Sequence, residues 1–251
     1  MTKYLHSVLN TLSVIDAIRP NESVGVTELS RRVNLPKATV QLILVTLHSA
    51  GWLAKSAPPT RWRPADKLFG LGGRFYQSWD LRTVALPLME ELRNRTEESV
   101  NLILQQTRYI VVVERVNSLL PITVSGSVGT VTPIQATASG KAILAKLSDQ
   151  EIMELIGAEG ERCNENTIVD TSKLLVELSE VRKRGYAVSW QEWKHGIVAV
   201  GAAITDGMNR PIAAVSVAGP NMRMSPKRTK EIGPLAMQTA ANISSRLSGM
   251  S

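Results

Sequence analysis

The chain has 251 residues, enough for one large domain or two modest ones with proper cores. Its formal net charge is +7, and its single cysteine, Cys163, excludes an internal disulfide. No apolar run approaches the roughly 18 residues of a membrane span and no charged-then-apolar leader is present, so no membrane partner is expected and a cytoplasmic protein is.

Tyr4 to Arg19 reads as a first helix, with Leu5, Val8, Leu9, Leu12, Ile15 and Ile18 in one stripe. The stripe is wide enough to pack against the helix pair and something else besides, which suits a dimer contact or a helix buried in a three-helix core. Pro20 to Ser23 ends it. The stretch Val26 to Leu53, VTELSRRVNLPKATVQLILVTLHSAGWL, reads as helix, tight turn, helix, strand. Thr27 is placed to cap a helix over Glu28–Val33, Asn34 suits a left-handed stop, and Pro36 suits the first turn of the next helix. Val40, Ile43, Leu44 and Leu47 then mark a buried stripe. The opposite face carries Ala38, Gln41, Leu42 and Val45, with Lys37 and Thr39 near the N-terminal end and no acid. A helix-turn-helix places such a face in the major groove of DNA, whereas any amphipathic helix pair in a core shares the bare pattern. Gln41 matches an adenine edge, and Ala38, Thr39 and Leu42 match thymine methyls.

A turn at Ala57–Thr60 leads into Arg61-Trp62-Arg63, two cations on one face of a strand and an aromatic on the other. Alone this is an ordinary edge strand. After a recognition helix it reads as a wing, with Arg61 or Arg63 reaching a phosphate or a narrow minor groove. Charge placement agrees. Residues 1–64 hold eight Lys/Arg against three acids, while residues 81–251 hold nineteen against seventeen, so the excess sits with the helix pair.

Residues 65–80 read as a linker helix weakened by Gly70, Gly72 and Gly73, at about 1 kcal/mol each relative to Ala. Beyond the boundary near residue 80 comes a helix around Val84–Arg95 with Pro87 in its early turns. Strands follow at Ser99–Gln105, Tyr109–Val116 and Pro121–Ser125, then helices at 136–147, Asp149–Ile156 and Thr171–Arg184. Strands at Tyr186–Ser189, Ile197–Ile204 and Ile212–Ala218 and a closing helix at Pro226–Leu247 complete an α+β domain around a mainly antiparallel sheet.

These stretches resemble the IclR family of bacterial transcriptional regulators over nearly the whole chain. The resemblance is carried by NLPKATVQLILVTLHSAGWL, ATASGKAILAKL and GYAVSWQEWKHGIVAVGAAITDGMNRPIAAVSVAGP. It implies a winged helix-turn-helix DNA-binding domain (1–64), a linker helix (65–80) and a GAF-like effector-binding and oligomerisation domain (81–251). Family members assemble as dimers, often dimers of dimers, on operator DNA. The family's effector pocket falls on the amides of Ala138 and Ser139, on Ser189, where keto-acid binders carry an acid, and on Ala199, where they carry a cysteine. It also falls on Ser216 and Ala218, where serines are usual. The helix start favours an anion, and the smaller side chains make room, so a monocarboxylate with a medium-sized apolar or aromatic body is expected rather than a two-carbon acid. Leu42 stands where the family usually has an arginine, which points to an A·T-leaning half-site.

Trp190 to His195 brings two of the five tryptophans together. They suit a larger ligand, or a loop packed across the sheet edge. Lys141 reads as a solvated or inter-subunit charge. An enzyme is the other class to weigh, but only His195 lies outside the DNA-binding segment among three histidines, and no nucleophile or zinc motif occurs. No catalytic residue, metal or cofactor is therefore expected.

Overall fold

The computed structural model describes residues 4–18, 23–65, 67, 79–124 and 126–249. The chain divides into two compact units, Met1–Gln77 and Ser78–Ser251.

The first unit holds α1 (His6–Asp16), α2 (Val26–Val33), α3 (Lys37–Ser49), β1 (Leu53–Lys55) and β2 (Trp62–Pro64). Asn34 takes the left-handed conformation, φ 52° and ψ 45°, and turns the chain sharply from α2 to α3. Two details differ from the sequence reading. α2 begins a residue before Thr27, with Gly25 at the cap and no side-chain cap bond, because the chain enters it from a bridge in which Val24 exchanges backbone hydrogen bonds with Trp62. Pro36 stands just before α3 with an extended ψ of 141° rather than inside the first turn. Val40, Leu44 and Leu47 are buried with Leu29, Val24, Leu53 and Trp62, and Ile43 packs at the margin. α1 and the turn after it meet this core through Val14 and Ile18, so most of the long stripe turns away: Leu5, Val8, Leu9 and Leu12 are exposed. The linker helix falls largely outside the described residues.

In the second unit α4 (Trp79–Thr96) starts earlier than expected, which places Pro87 inside it. The hairpin β3 (Ser99–Gln106) and β4 (Tyr109–Val116) forms where the sequence placed two consecutive strands. The strand expected at Pro121–Ser125 is absent through Val124. There a side chain replaces the ladder: the Arg115 guanidinium donates to the Val124 carbonyl at 2.5 Å. The third strand is β5 (Val131–Pro133), followed by one 3₁₀ turn (Ile134–Ala136) and α5 (Ala138–Leu144). Then come α6 (Asp149–Ile156), α7 (Thr171–Arg184), β6 (Ala187–Trp190), β7 (Ile197–Thr205), β8 (Pro211–Pro220) and α8 (Pro226–Ser248).

The six strands run β5-β4-β3-β8-β7-β6, and every pairing is antiparallel. Alternation along β7 sorts its residues between two cores. Val198, Val200, Ala202 and Ile204 face α4 and α8, with Val215, Val217 and Ile232. On the other face Ile103, Ile110 and Ala214 pack with Ile143, Ile152, Leu174 and Leu178 from α5, α6 and α7. Part of that second face is left uncovered by helix, and the pocket opens there.

Candidate functional site

In the first unit the outer face of α3 presents Lys37, Ala38, Gln41 and Leu42 to solvent, with Leu42 69 % exposed, while Thr39 is half-buried. The missing acids let phosphates approach this face. In the wing, Trp62 is buried and Arg63 points outward. The two wing arginines are not equivalent. Arg61 precedes β2, donates through Nε to the Ser23 carbonyl at 2.8 Å, and lies 3.8 Å from the Glu28 carboxylate. The Arg63 side chain makes no hydrogen bond or ion pair among the described residues, so its fork is free for a partner outside the domain.

In the second unit one pocket, with about 640 Å³ of space including its mouth, brings Ala138, Ser139, Ser189, Ala199, Ser216 and Ala218 together from four separate stretches. Register explains the meeting. Ser189 pairs with Ala199, and Ala199 with Ala218, in one cross-strand row; Gly201 pairs with Ser216 in the next. α5 lies directly over Gly201, where a Cβ would stand 2.7 Å from the backbone of Ala138 and Ser139. Gly140 is needed for the same reason, because a Cβ there would overlap the Ile134 carbonyl. Thr137 caps α5 by accepting from the Gly140 amide at 3.0 Å. The first amides of the helix, those of Ala138 and Ser139, have no acceptor within it.

The serines differ. Ser189 donates its hydroxyl proton to the Ala136 carbonyl at 3.1 Å, so it offers a ligand only lone pairs, whereas the Ser216 hydroxyl makes no hydrogen bond among the described residues. The sequence reading did not separate the two. It also missed several walls: Asn101 and Arg115 from the hairpin, Thr130 and Thr132 near β5, and Ile103, Ile110 and Val112. One signal was present in the sequence, an adjacent charged pair, Glu114-Arg115, in the otherwise apolar strand YIVVVERV. Trp193 lines the pocket, while Trp190 is exposed and takes no part.

Lys141 is not solvated. It is 1 % exposed and its Nζ lies 2.5 Å from Oε1 of Glu192, itself buried. The reading failed because helical spacing does not say that α5 is covered all round. Burial pushes the Glu192 carboxyl up while Lys141 pulls it down, and the net direction is up. This ion pair ties the helix start to the loop that carries Trp193. His195 and Glu165 approach to 3.2 Å, but both are exposed.

Residues 74–245 match the family described as Bacterial transcriptional regulator IclR C-terminal, and residues 7–57 match the IclR helix-turn-helix domain. The chain belongs to the IclR family. It is 31% identical over 242 residues to the HTH-type transcriptional regulator KdgR of Escherichia coli, covering 96% of this chain and 92% of the relative. The solved structure of the Thermotoga maritima IclR superposes with a TM-score of 0.78 at 27% identity, covering 98% of this chain and all of that one. An IclR homolog from Microbacterium hydrocarbonoxydans, complexed with 4-hydroxybenzoate, shares the fold at a TM-score of 0.80 and 20% identity, covering 97% of this chain and 99% of that one. As an IclR regulator the chain has a DNA-binding helix-turn-helix and an effector-binding domain, and it is not an enzyme. Among the described residues no helix is long and apolar enough to cross a membrane.

Proposed function

We propose that this regulator binds operator DNA through α3 and its wing and releases or rearranges on it when a small organic acid fills the pocket. Residues 1–64 form the DNA-binding domain, 65–80 the linker, and 81–251 a GAF-like effector-binding and oligomerisation domain of a cytoplasmic homodimer or dimer of dimers. The exposed stripe of α1 supports a second copy as partner, since contiguous apolar surface of this kind marks an interface. Lys37, Ala38, Thr39, Gln41 and Leu42 read bases, and Arg63, with Arg61 beside it, holds phosphate or minor groove.

The observation that carries the effector reading is the meeting of Ala138, Ser139, Ser189, Ala199, Ser216 and Ala218 in one pocket walled by Ile103, Ile110 and Val112. Convergent polar groups in an apolar cleft are what a small-molecule site requires. An acid with a medium-sized apolar or aromatic body fits these walls. That a protein of the same fold was solved with 4-hydroxybenzoate supports this chemistry. A thermal-shift screen of small carboxylates tests it, because a ligand bound to the folded state raises the melting temperature by mass action. Aromatic and branched acids should raise it more than glyoxylate. A screen in which only two-carbon acids stabilise the protein overturns the reading of the pocket's size.

The DNA reading predicts that Arg63→Ala weakens binding about equally on all sequences and lowers the salt slope by about one. Arg61→Ala should change the slope less, because its fork is already engaged within the domain. Affinities measured across a salt series decide this; an unchanged slope in a folded Arg63→Ala protein removes the wing from the interface.

A further inference from the structure

We infer that the effector is a two-ended acid, whose second anionic group is held by Arg115 on the far wall of the pocket. The inference rests on this pocket being the effector site; it replaces the monocarboxylate expected from the sequence, because that expectation did not include the Arg115 wall opposite α5. Arg115, Asn101, Ser216 and Gly201 are successive cross-strand partners on β4, β3, β8 and β7. Such partners share one face of a sheet. The row therefore runs along the pocket floor from Arg115 to the point where α5 sits on Gly201. At the ordinary strand spacing, Asn101 stands about 10 Å from Gly201, room for a short aliphatic chain or one aromatic ring between two polar ends.

The guanidinium is held in place but not neutralised. Nε donates to Asn117 Oδ1 at 2.7 Å, Nη1 to Asn101 Oδ1 at 3.0 Å and Nη2 to the Val124 carbonyl at 2.5 Å. All three acceptors are uncharged, and they use three of the five N–H groups of an arginine, leaving two. No carboxylate pairs with Arg115 among the described residues. The adjacent Glu114 carboxylate is taken by Arg82. Burial lowers the Arg115 pKa with no opposing charge to offset it. A cation kept half out of water beside apolar walls is costly unless an anion compensates, and a fork already oriented by fixed acceptors binds a carboxylate with little further ordering. Gly126 belongs to the arrangement, since a Cβ there would stand 2.6 Å from Nη1.

The test titrates the full chain, wild type and Arg115→Gln, with benzoate, adipate and terephthalate, followed by calorimetry and melting. Wild type should bind at least one dicarboxylate about tenfold or more tighter than benzoate. In Arg115→Gln that advantage should fall away while benzoate affinity stays near its wild-type value. Arg115→Lys, which keeps the charge and loses the fork, should retain part of it. Should Arg115→Gln fail to fold, Arg115→Lys decides alone, and an undiminished advantage overturns the assignment. Equal wild-type binding of benzoate and both dicarboxylates overturns it too. So does an equal loss of benzoate and dicarboxylates in Arg115→Gln, which would leave a single carboxylate sitting on Arg115 and the acid pocket intact. A wild type that binds none of the three overturns the acid pocket along with it.

Discussion

Ala199→Phe is expected to abolish the effector response. Ala199 lies in mid-floor, between Ser189 on β6 and Ala218 on β8, and its side chain lines the pocket. A phenyl ring there occupies the volume an effector body needs, while the backbone of β7 and its ladder remain. Overpacking costs about 1–3 kcal/mol where a site is already full; an open pocket should stand at the low end. Effector affinity should fall by about a hundredfold or more, about 2.7 kcal/mol, with DNA affinity unchanged. The protein would then behave as permanently unliganded. The measurement is the melting shift with a saturating carboxylate, beside DNA binding with and without it. A variant that responds as the wild type does would place the effector elsewhere.

The second large effect concerns the buried ion pair. Lys141→Ala leaves the Glu192 carboxylate in a dry site with no compensating charge. Its Oε1 also accepts from the Trp190 amide at 3.3 Å, but Oε2 has no partner among the described residues. Breaking one half of such a pair typically costs about 3–5 kcal/mol. For a domain of this size that lowers the melting temperature by roughly 10 °C. The double variant Lys141→Met with Glu192→Leu should recover most of the loss, because well-packed apolar groups replace a buried pair at little cost. A single variant that melts as the wild type does would mean Glu192 finds another partner. A double variant no better than the single would assign the loss to packing rather than to charge.

Much of this molecule is legible from residue order. Local rules are enough wherever an element's period and its stop signals agree. Asn34 ends α2 in the left-handed region, Ser148 and Glu151 form the capping box that starts α6, and Gly185 ends α7 with φ 83°. The short apolar runs of β7 and β8, bounded by turn residues, mark strands whichever neighbours they find. The pocket residues that the family resemblance named, Ala138, Ser139, Ser189, Ala199, Ser216 and Ala218, all stand in one cavity.

Where a residue's role depends on what comes from far along the chain, the sequence is silent. Periodicity places Lys141 on a helix, but its burial follows from the strand β6 and the loop after it, some fifty positions later. α1 shows the same limit from the other side. Its apolar stripe is plain, yet the domain's own core uses Val14 and Ile18 and leaves Leu5, Val8, Leu9 and Leu12 in solvent. Arg115 was visible only as half of a charged pair, Glu114-Arg115, in an otherwise apolar strand. That it faces the pocket was decided by the register of β4 on β3 and of β3 on β8, since a slip of one residue would carry its side chain to the opposite face of the sheet. Hydrophobic period and turn chemistry act over a few residues and so can be read locally. Register, burial and the partner of a charge are set by long-range packing, which exists only once the chain has folded.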